Sequence, residues 1–352
     1  MFVGSAAFAL GLAAWGRAAG LSALPDWAWL LLVLGIDVAH VHSTWFRTYL
    51  DREEIARHRL RYWALPVVVY LASWLAYRAG PLLFWRVLAY LAVFHFIRQQ
   101  VGWVALYRAK AGKSAISERL TDEAAIWAAT LYPLFEWHVH ASEKGFSWFV
   151  PGDFMALPLA SASGLAKGLW LATLGVFFAR ELWRASRTRE LALGKLLIVG
   201  VTAVTWYVGI VANDGDFVFT ASNVIPHGVP YVWLLFAYTR ERSRRAPSWA
   251  PGQVVAGGFL AFAAVLVGCA FFEQLAWDRL AEHDHPWLFG EGPLLSAAWL
   301  AWLVPLLGLP QAMHYLLDGL LWRREQSRAR PAQLAALGFS SRGEVHERGG
   351  LA

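Results

Sequence analysis

Histidine and carboxylate side chains within apolar stretches are the residues of this sequence that could carry chemistry. Asp37, His40 and His42 lie at the end of an apolar run that begins near Trp27. Ionisable groups are costly inside a membrane span, and those that occur there mark functional sites. Three further apolar runs each contain one histidine: His95, His227 and His314. We therefore predict that these five histidines bind a metal at one site.

Polar side chains three or four residues from a histidine share its face of a helix. Three such pairs occur: Asp37 with His40, Gln99 with His95, and Asp318 with His314. A metal-bound imidazole usually donates its second N–H to a carboxylate or a carbonyl, which fixes the ring. Asp37, Gln99 and Asp318 are predicted to do this or to bind the metal themselves.

His40 and His42 project from different sides of a regular helix. Two residues correspond to about 200° of rotation, so both rings can face one site only if the helix end is distorted. Asp37 supports His40, which makes His40 the favoured ligand and His42 a conditional one.

The composition is that of an integral membrane protein. Of the 352 residues, 58% are hydrophobic and 16% are charged, whereas a soluble domain has about 25% charged residues. Apolar stretches of about 20 residues recur along the chain, which predicts membrane-spanning helices. The predicted fold is therefore all-α, a polytopic integral membrane helical bundle.

Ten spans are predicted, at residues 2–22, 26–46, 61–79, 82–108, 121–142, 164–184, 192–212, 217–239, 252–272 and 294–322. The first is interpreted as a span because its charged residue, Arg17, follows the apolar core, unlike the charge of a signal peptide. Without it, nine spans remain. Residues 1–325 are predicted to be a single transmembrane domain, and residues 326–352 a disordered cytoplasmic tail.

Lysine and arginine collect in alternate connections between the predicted spans, as the positive-inside rule requires. This pattern predicts that both termini are cytoplasmic and that the protein lies in a bacterial-type inner membrane. It also argues against a nucleic-acid partner, although the net charge is +6.

Position along a span converts to depth at 1.5 Å per residue. On the predicted topology, the five histidines fall within one layer of the membrane that opens towards the cytoplasm. Glu136, His138 and His140 fall near the outer surface instead. They are predicted to form a separate outer site or no site.

The span that contains His227 is predicted to be broken. Pro226, Gly228 and Pro230 surround this histidine, and a proline removes a helical hydrogen bond. Irregular backbone is tolerated at membrane depth only where protein or a wet cavity satisfies it. Such a break would suit a metal ligand, and it is also found in transporters.

The ligand types favour iron. Imidazole and carboxylate suit Fe, Zn, Cu or Ni, and the single cysteine, Cys269, excludes a thiolate cluster. Histidine sites with open positions suit non-haem iron, mononuclear or dinuclear, and O₂ chemistry. An aromatic, apolar interior gives access to a membrane lipid or an isoprenoid. The sequence therefore predicts an O₂-dependent oxidoreductase of the oxygenase, hydroxylase or desaturase type, with an external electron donor where electrons are needed.

The piece Ile225-Pro226-His227-Gly228 is similar to a Pro-His-Gly motif of the Brp/Blh-type membrane carotene dioxygenases. Members of that family are polytopic, hold non-haem iron with histidines and cleave carotene to retinal. The resemblance covers this short piece and the general plan. It implies iron bound by His227 and an isoprenoid substrate.

Three other functions are compatible with the same residues. A zinc-dependent membrane lipid hydrolase would need three histidines, an open water position and an acid or base such as Asp37 or Asp318. A haem protein would need two facing histidines. A transporter would use the broken span.

Overall fold

The computed structural model describes residues 1–110, 115–245 and 251–321, and these residues are predominantly helical. Apart from an isolated bridge between Gly145 and Gly215, they contain no β-structure. The predicted all-α class is confirmed. The predicted tail, residues 326–352, lies outside the described residues.

The longer helices, numbered in chain order, are α1 (Phe2–Ala18), α2 (Asp26–Arg47), α3 (Arg59–Ala79), α4 (Pro81–Lys110), α5 (Ile116–Val139), α6 (Ser163–Thr188), α7 (Leu193–Trp206), α8 (Asp216–Arg245), α9 (Gly258–Trp277), α10 (Ala297–Leu307) and α11 (Leu309–Leu321). Shorter helical segments are Arg52–Arg57, Ala160–Ala162, Pro251–Ala256 and Pro286–Phe289. Two π-helical turns, Tyr207–Val211 and Asp278–Glu282, directly follow α7 and α9.

Six segments of the described chain are long and apolar enough to cross a membrane, so the prediction of ten spans, or of nine, is wrong. They are Asp26–Arg47, Pro81–Arg108, Ala160–Thr188, Leu193–Val211, Gly258–Glu282 and Ala297–Leu321. These helices still identify the chain as a helical membrane protein, because a span needs about 20 mainly apolar residues.

The other four predicted spans form helices, but these helices are too short or too polar to qualify as membrane spans. α1 has only 17 residues, and α5 carries the acidic residues Asp122, Glu123 and Glu136. α3 begins with arginines and has tyrosine and tryptophan at many positions, and α8 contains a polar stretch around Asn223. A charged residue at the centre of a span costs about 2.5–3.5 kcal/mol, so scattered charges weaken an apolar run that looks long enough.

α8 is one continuous helix of 30 residues. The predicted break around Pro226 and Pro230 is therefore wrong. Helices in membranes tolerate proline when neighbouring groups satisfy the freed carbonyls. His227 consequently projects from a regular helix.

α2 changes its helical type along its length. The segment Trp29–Val38 is π-helical, Ala39–Ser43 is α-helical and Thr44–Arg47 is a 3₁₀ turn. π-helical turns are rare and occur frequently at functional sites. A shared site for His40 and His42 required a distorted helix end, but both residues lie in the regular segment and diverge.

One compact unit of the chain comprises Met1–Val33 and Ala76–His227. In it, α5 packs against α4, α6 and α7, and α7 also packs against α1 and α4. Large apolar side chains fill its core, among them Ile126, Trp137 and Phe177.

A second compact unit comprises Leu34–Leu75 and the chain from Gly228 onward. Here the segment Ala39–Ser43 packs against α9 and α11. Phe46 and Phe262 are buried and meet edge to face, with ring centroids 4.7 Å apart. These contacts hold the histidine-bearing end of α2 in place.

Candidate metal centre

Four of the five predicted histidines come together: His40 on α2, His95 on α4, His227 on α8 and His314 on α11. Each offers one ring nitrogen, and the four nitrogens all lie within 4.8 Å of one another. Each residue is at most 2% exposed. This buried four-histidine cluster could hold a metal ion.

The rings in the cluster are held at steep angles to one another. His40 and His314 have ring centroids 4.8 Å apart and planes at 83°. His95 and His227 have centroids 5.1 Å apart and planes at 87°. Phe96 stacks flat on His227, with centroids 3.5 Å apart and planes at 7°. Phe96 therefore fixes the plane of the His227 ring.

The nitrogen spacing fits a transition metal. A histidine nitrogen binds such an ion at about 2.0–2.1 Å, so two ligands on opposite sides of one ion lie about 4.2 Å apart. The 4.8 Å limit of the cluster exceeds this by roughly 0.6 Å, so the four nitrogens lie near the spacing of ligands on one ion. Imidazole donors suit Fe, Zn, Cu or Ni.

A chain of hydrogen bonds leads away from His314. Its Nδ1 lies 2.7 Å from the Thr44 hydroxyl, which lies 3.2 Å from the Tyr231 hydroxyl. Tyr231 in turn donates to the Asp318 carboxylate. With Nδ1 engaged by Thr44, Nε2 is the nitrogen of His314 that can bind a metal.

Sequence reasoning placed Asp318 next to His314 but missed Thr44 and Tyr231. Both missed residues lie four positions after a histidine of the cluster, Thr44 after His40 and Tyr231 after His227. That spacing places them on the histidine's face of the helix, and it is the signal that could have found them.

Asp37 and Gln99 lie close to the cluster in different ways. Asp37 has a carboxylate oxygen 3.6 Å from Nδ1 of His40, within ion-pair range. Gln99 donates from Nε2 to the backbone carbonyl of His227 at 3.4 Å. Gln99 was predicted to orient His95, but this bond acts on the helix that carries His227.

His42 does not join the four histidines. Its Nε2 lies 3.0 Å from a carboxylate oxygen of Glu273 on α9, and its ring meets Trp45 edge to face at 4.7 Å. The reason is the rotation of about 200° between residues two apart on a helix. Sequence reasoning missed Glu273, although a glutamate next to the predicted span at 252–272 is a signal.

The predicted outer group does not form a ligand cluster among the described residues. His138 uses Nε2 in a hydrogen bond with the Tyr90 hydroxyl at 2.8 Å and Nδ1 in one with the Leu134 carbonyl at 2.6 Å. His140 lies 3.6 Å from Glu136 and 3.1 Å from Glu143. His138 therefore has no nitrogen left for a metal.

Gly228 allows a close approach of α8 to α2 next to the cluster. A Cβ atom at this position would lie 2.7 Å from Cγ2 of Ile36 and 3.7 Å from Cβ of His40. Any larger residue at this position would therefore require Ile36 to move.

Arg47 ties helix ends together below the cluster. Its guanidinium donates to the carbonyl of Leu321 at 2.9 Å, at the end of α11. The same group lies over the ring of Tyr238 on α8, 4.7 Å from the centroid. Arg47 thus connects α2 with two other helices that carry cluster histidines.

Comparisons of the chain with protein-family models, curated proteins and solved structures found no match. The fold and the site together define a helical membrane protein with a buried four-histidine cluster that could hold a metal ion.

Proposed function

We propose that this protein is a membrane-embedded, iron-dependent oxidoreductase that uses O₂ and acts on an apolar lipid or isoprenoid. The observation that carries the proposal is the convergence of four buried histidine nitrogens within 4.8 Å. Buried polar groups are costly in an apolar interior, and four imidazoles in one place are typical of metal ligands.

The number of histidines favours iron over zinc. Four protein ligands complete the tetrahedral sphere of a structural zinc ion, whereas catalytic zinc keeps three protein ligands and an open position for water. Iron accepts more ligands than four, so a four-histidine iron site keeps positions free for O₂. A zinc-dependent hydrolase is therefore less well supported.

Haem and transport are also less well supported. A porphyrin surrounds its iron with ring nitrogens and leaves only axial positions for the protein. Four histidine nitrogens within 4.8 Å of one another would overlap the porphyrin plane. A transporter was suggested by a predicted break in the span around His227, but α8 is continuous there.

The residues of the chain have defined tasks under this proposal. A bound iron would supply O₂ activation. Thr44 holds Nδ1 of His314 and so presents Nε2 to the cluster. Phe96 holds the plane of His227. The burial of all four histidines keeps bulk water away from the reacting groups, which strengthens the electrostatic interactions there.

The surroundings of the cluster suggest where the substrate comes from. The helices that carry it include apolar spans, so a substrate dissolved in the membrane reaches it without crossing water. The Pro226-His227-Gly228 piece makes carotenes and related isoprenoids the substrates to test first. The electron donor, if the reaction needs one, is a separate partner.

The test is metal analysis of the purified protein after anaerobic loading with Fe²⁺ or Zn²⁺. We expect about one iron per chain, and loss of the ion in His40→Ala, His95→Ala, His227→Ala and His314→Ala. His138→Ala is the matched control and should keep the metal. Unchanged metal content in the four variants would contradict the shared site. Tight zinc with no iron binding would contradict the oxidoreductase, as would the absence of O₂ uptake with every isoprenoid and lipid substrate tried.

A further inference from the structure

A cavity of about 510 Å³ lies beside the C-terminal part of α8 and the start of α9. Six of its lining residues define its chemistry: Trp233, Phe236, Phe259, Arg240, Ser243 and Arg244. They are aromatic at one end and polar at the other. The cavity is not part of the four-histidine cluster.

The change from aromatic to cationic follows one face of α8. Trp233, Phe236, Arg240 and Arg244 are spaced by three or four residues, so they share a face. At 1.5 Å per residue, Arg244 lies about 12 Å along the helix from Phe236. The cavity therefore has the polarity gradient of an amphiphilic molecule.

The aromatic end is a compact group of three rings. The ring centroids of Trp233 and Phe259 are 5.4 Å apart, and those of Phe236 and Phe259 are also 5.4 Å apart. Trp233 remains 41% exposed. Rings of this kind offer an apolar surface for a hydrocarbon chain.

The cationic end keeps a positive charge. Arg240 and Arg244 are both exposed. Arg244 lies 3.4 Å from the carboxylate of Glu241. The intervening Arg242 turns away from the cavity and pairs with Asp51 and Glu53. Guanidinium groups bind phosphate oxygens through paired, charge-assisted hydrogen bonds.

The cavity lies at one end of a candidate membrane span, where a lipid headgroup would be found. The candidate span Gly258–Glu282 begins beside it, and the end of a span marks the boundary between hydrocarbon and headgroups. Tryptophan is enriched at that boundary, which fits the exposed Trp233. The most abundant anionic amphiphile there is a phospholipid.

We propose that this cavity binds an anionic phospholipid. The lipid phosphate contacts Arg240 and Arg244, and the start of an acyl chain lies along Trp233, Phe236 and Phe259. This site is independent of the proposed metal chemistry.

The test is titration of the purified protein in detergent with phosphatidylglycerol, followed by native mass spectrometry of the bound lipid. Each arginine near an anionic headgroup contributes about fivefold in affinity. We therefore expect the double variant Arg240→Gln/Arg244→Gln to bind about 25-fold more weakly. The double variant Arg187→Gln/Arg189→Gln removes the same charge from exposed positions elsewhere and should bind normally.

Two other ligands separate a lipid site from a simple anion site. Phosphatidylcholine, whose headgroup is neutral overall, should bind at least tenfold more weakly than phosphatidylglycerol. Inorganic phosphate should compete poorly, because it lacks the chain, and Trp233→Ser should weaken lipid binding but not phosphate binding. Equal binding of the two lipids, full competition by phosphate or unchanged binding by the Arg240→Gln/Arg244→Gln variant would each overturn the proposal.

Discussion

Two buried polar clusters in this protein differ in whether their own side chains compensate one another's charge. The first is an ion network around Lys195 on α7, whose Nζ lies 2.8 Å from Glu118, 3.0 Å from Asp122 and 2.9 Å from Glu181. Arg108 adds a second cation, 3.1 Å from Asp122. Cations and carboxylates within one network compensate one another. The charges of the network therefore compensate one another in the buried position without a further ligand.

The second cluster consists of one residue type. His40, His95, His227 and His314 contribute four imidazoles in place of paired opposite charges. A neutral imidazole presents a lone pair that binds a cation. Mixed charges in a buried cluster therefore indicate a structural role, whereas repeated ligands of one kind indicate a binding site.

The largest effect that separates the two clusters is expected from Lys195→Met. Removing one partner from a buried ion network leaves uncompensated charge and costs about 3–5 kcal/mol of stability. Thermal unfolding in detergent should show a large loss of stability, while the metal content per folded chain stays the same. Lys167→Met, at an exposed position on α6, is the control and should change neither. A Lys195→Met protein that loses metal but keeps its stability would reverse the assignment.

Thr44→Val should have the opposite effect: it should lower metal affinity more than stability. The valine keeps the shape of threonine but cannot hydrogen-bond to Nδ1 of His314, and loss of such a partner typically lowers metal affinity by about 10–100-fold. A competition assay with a chelator measures this affinity. Thr44→Ser keeps the hydroxyl and should restore most of the binding. If valine and serine bind metal equally well, Thr44 does not position His314.

Gly228→Ala should produce the smallest effect, and it should lower both the stability and the metal affinity. The new methyl group would lie 2.7 Å from Ile36, and moving one neighbouring methyl costs about 1 kcal/mol, the lower end for overpacking. Ile36 lies four residues before His40 on α2, so metal affinity should fall by less than tenfold. Gly102→Ala, where the added methyl meets open space, should be neutral or slightly stabilising. Equal behaviour of the two alanine variants would show that the close approach at Gly228 is unimportant.

The sequence predicted the helical membrane class and the four histidines of the cluster. The reason for grouping these histidines was partly wrong. Depth was assigned from a topology of ten spans, and six segments qualify. The four histidines nevertheless meet, because each lies on a helix and packing selects one face of that helix. Hydropathy indicates where a helix is, whereas charges such as Asp122 in α5 decide whether it qualifies as a span.

The partners of the histidines were harder to predict. Asp37 was found because it lies three residues from His40 on the same helix. Glu273, which faces His42, is more than 200 positions away, and Thr44 reaches His314 across 270 positions. Local spacing contains no information about which helices become neighbours. Helix geometry predicted that His40 and His42 diverge, but only tertiary packing decided that His42 faces α9.

The contacts of Arg47 have a consequence for rates. Its guanidinium holds the carbonyl of Leu321 at the end of α11 and rests on Tyr238 of α8. Separation of α2 from α11 at this end would break that bond. An ion held by the histidines would then leave only as fast as the helix ends separate. Arg47 should accordingly control how long the cluster retains an ion, even though it lies outside the ligand set.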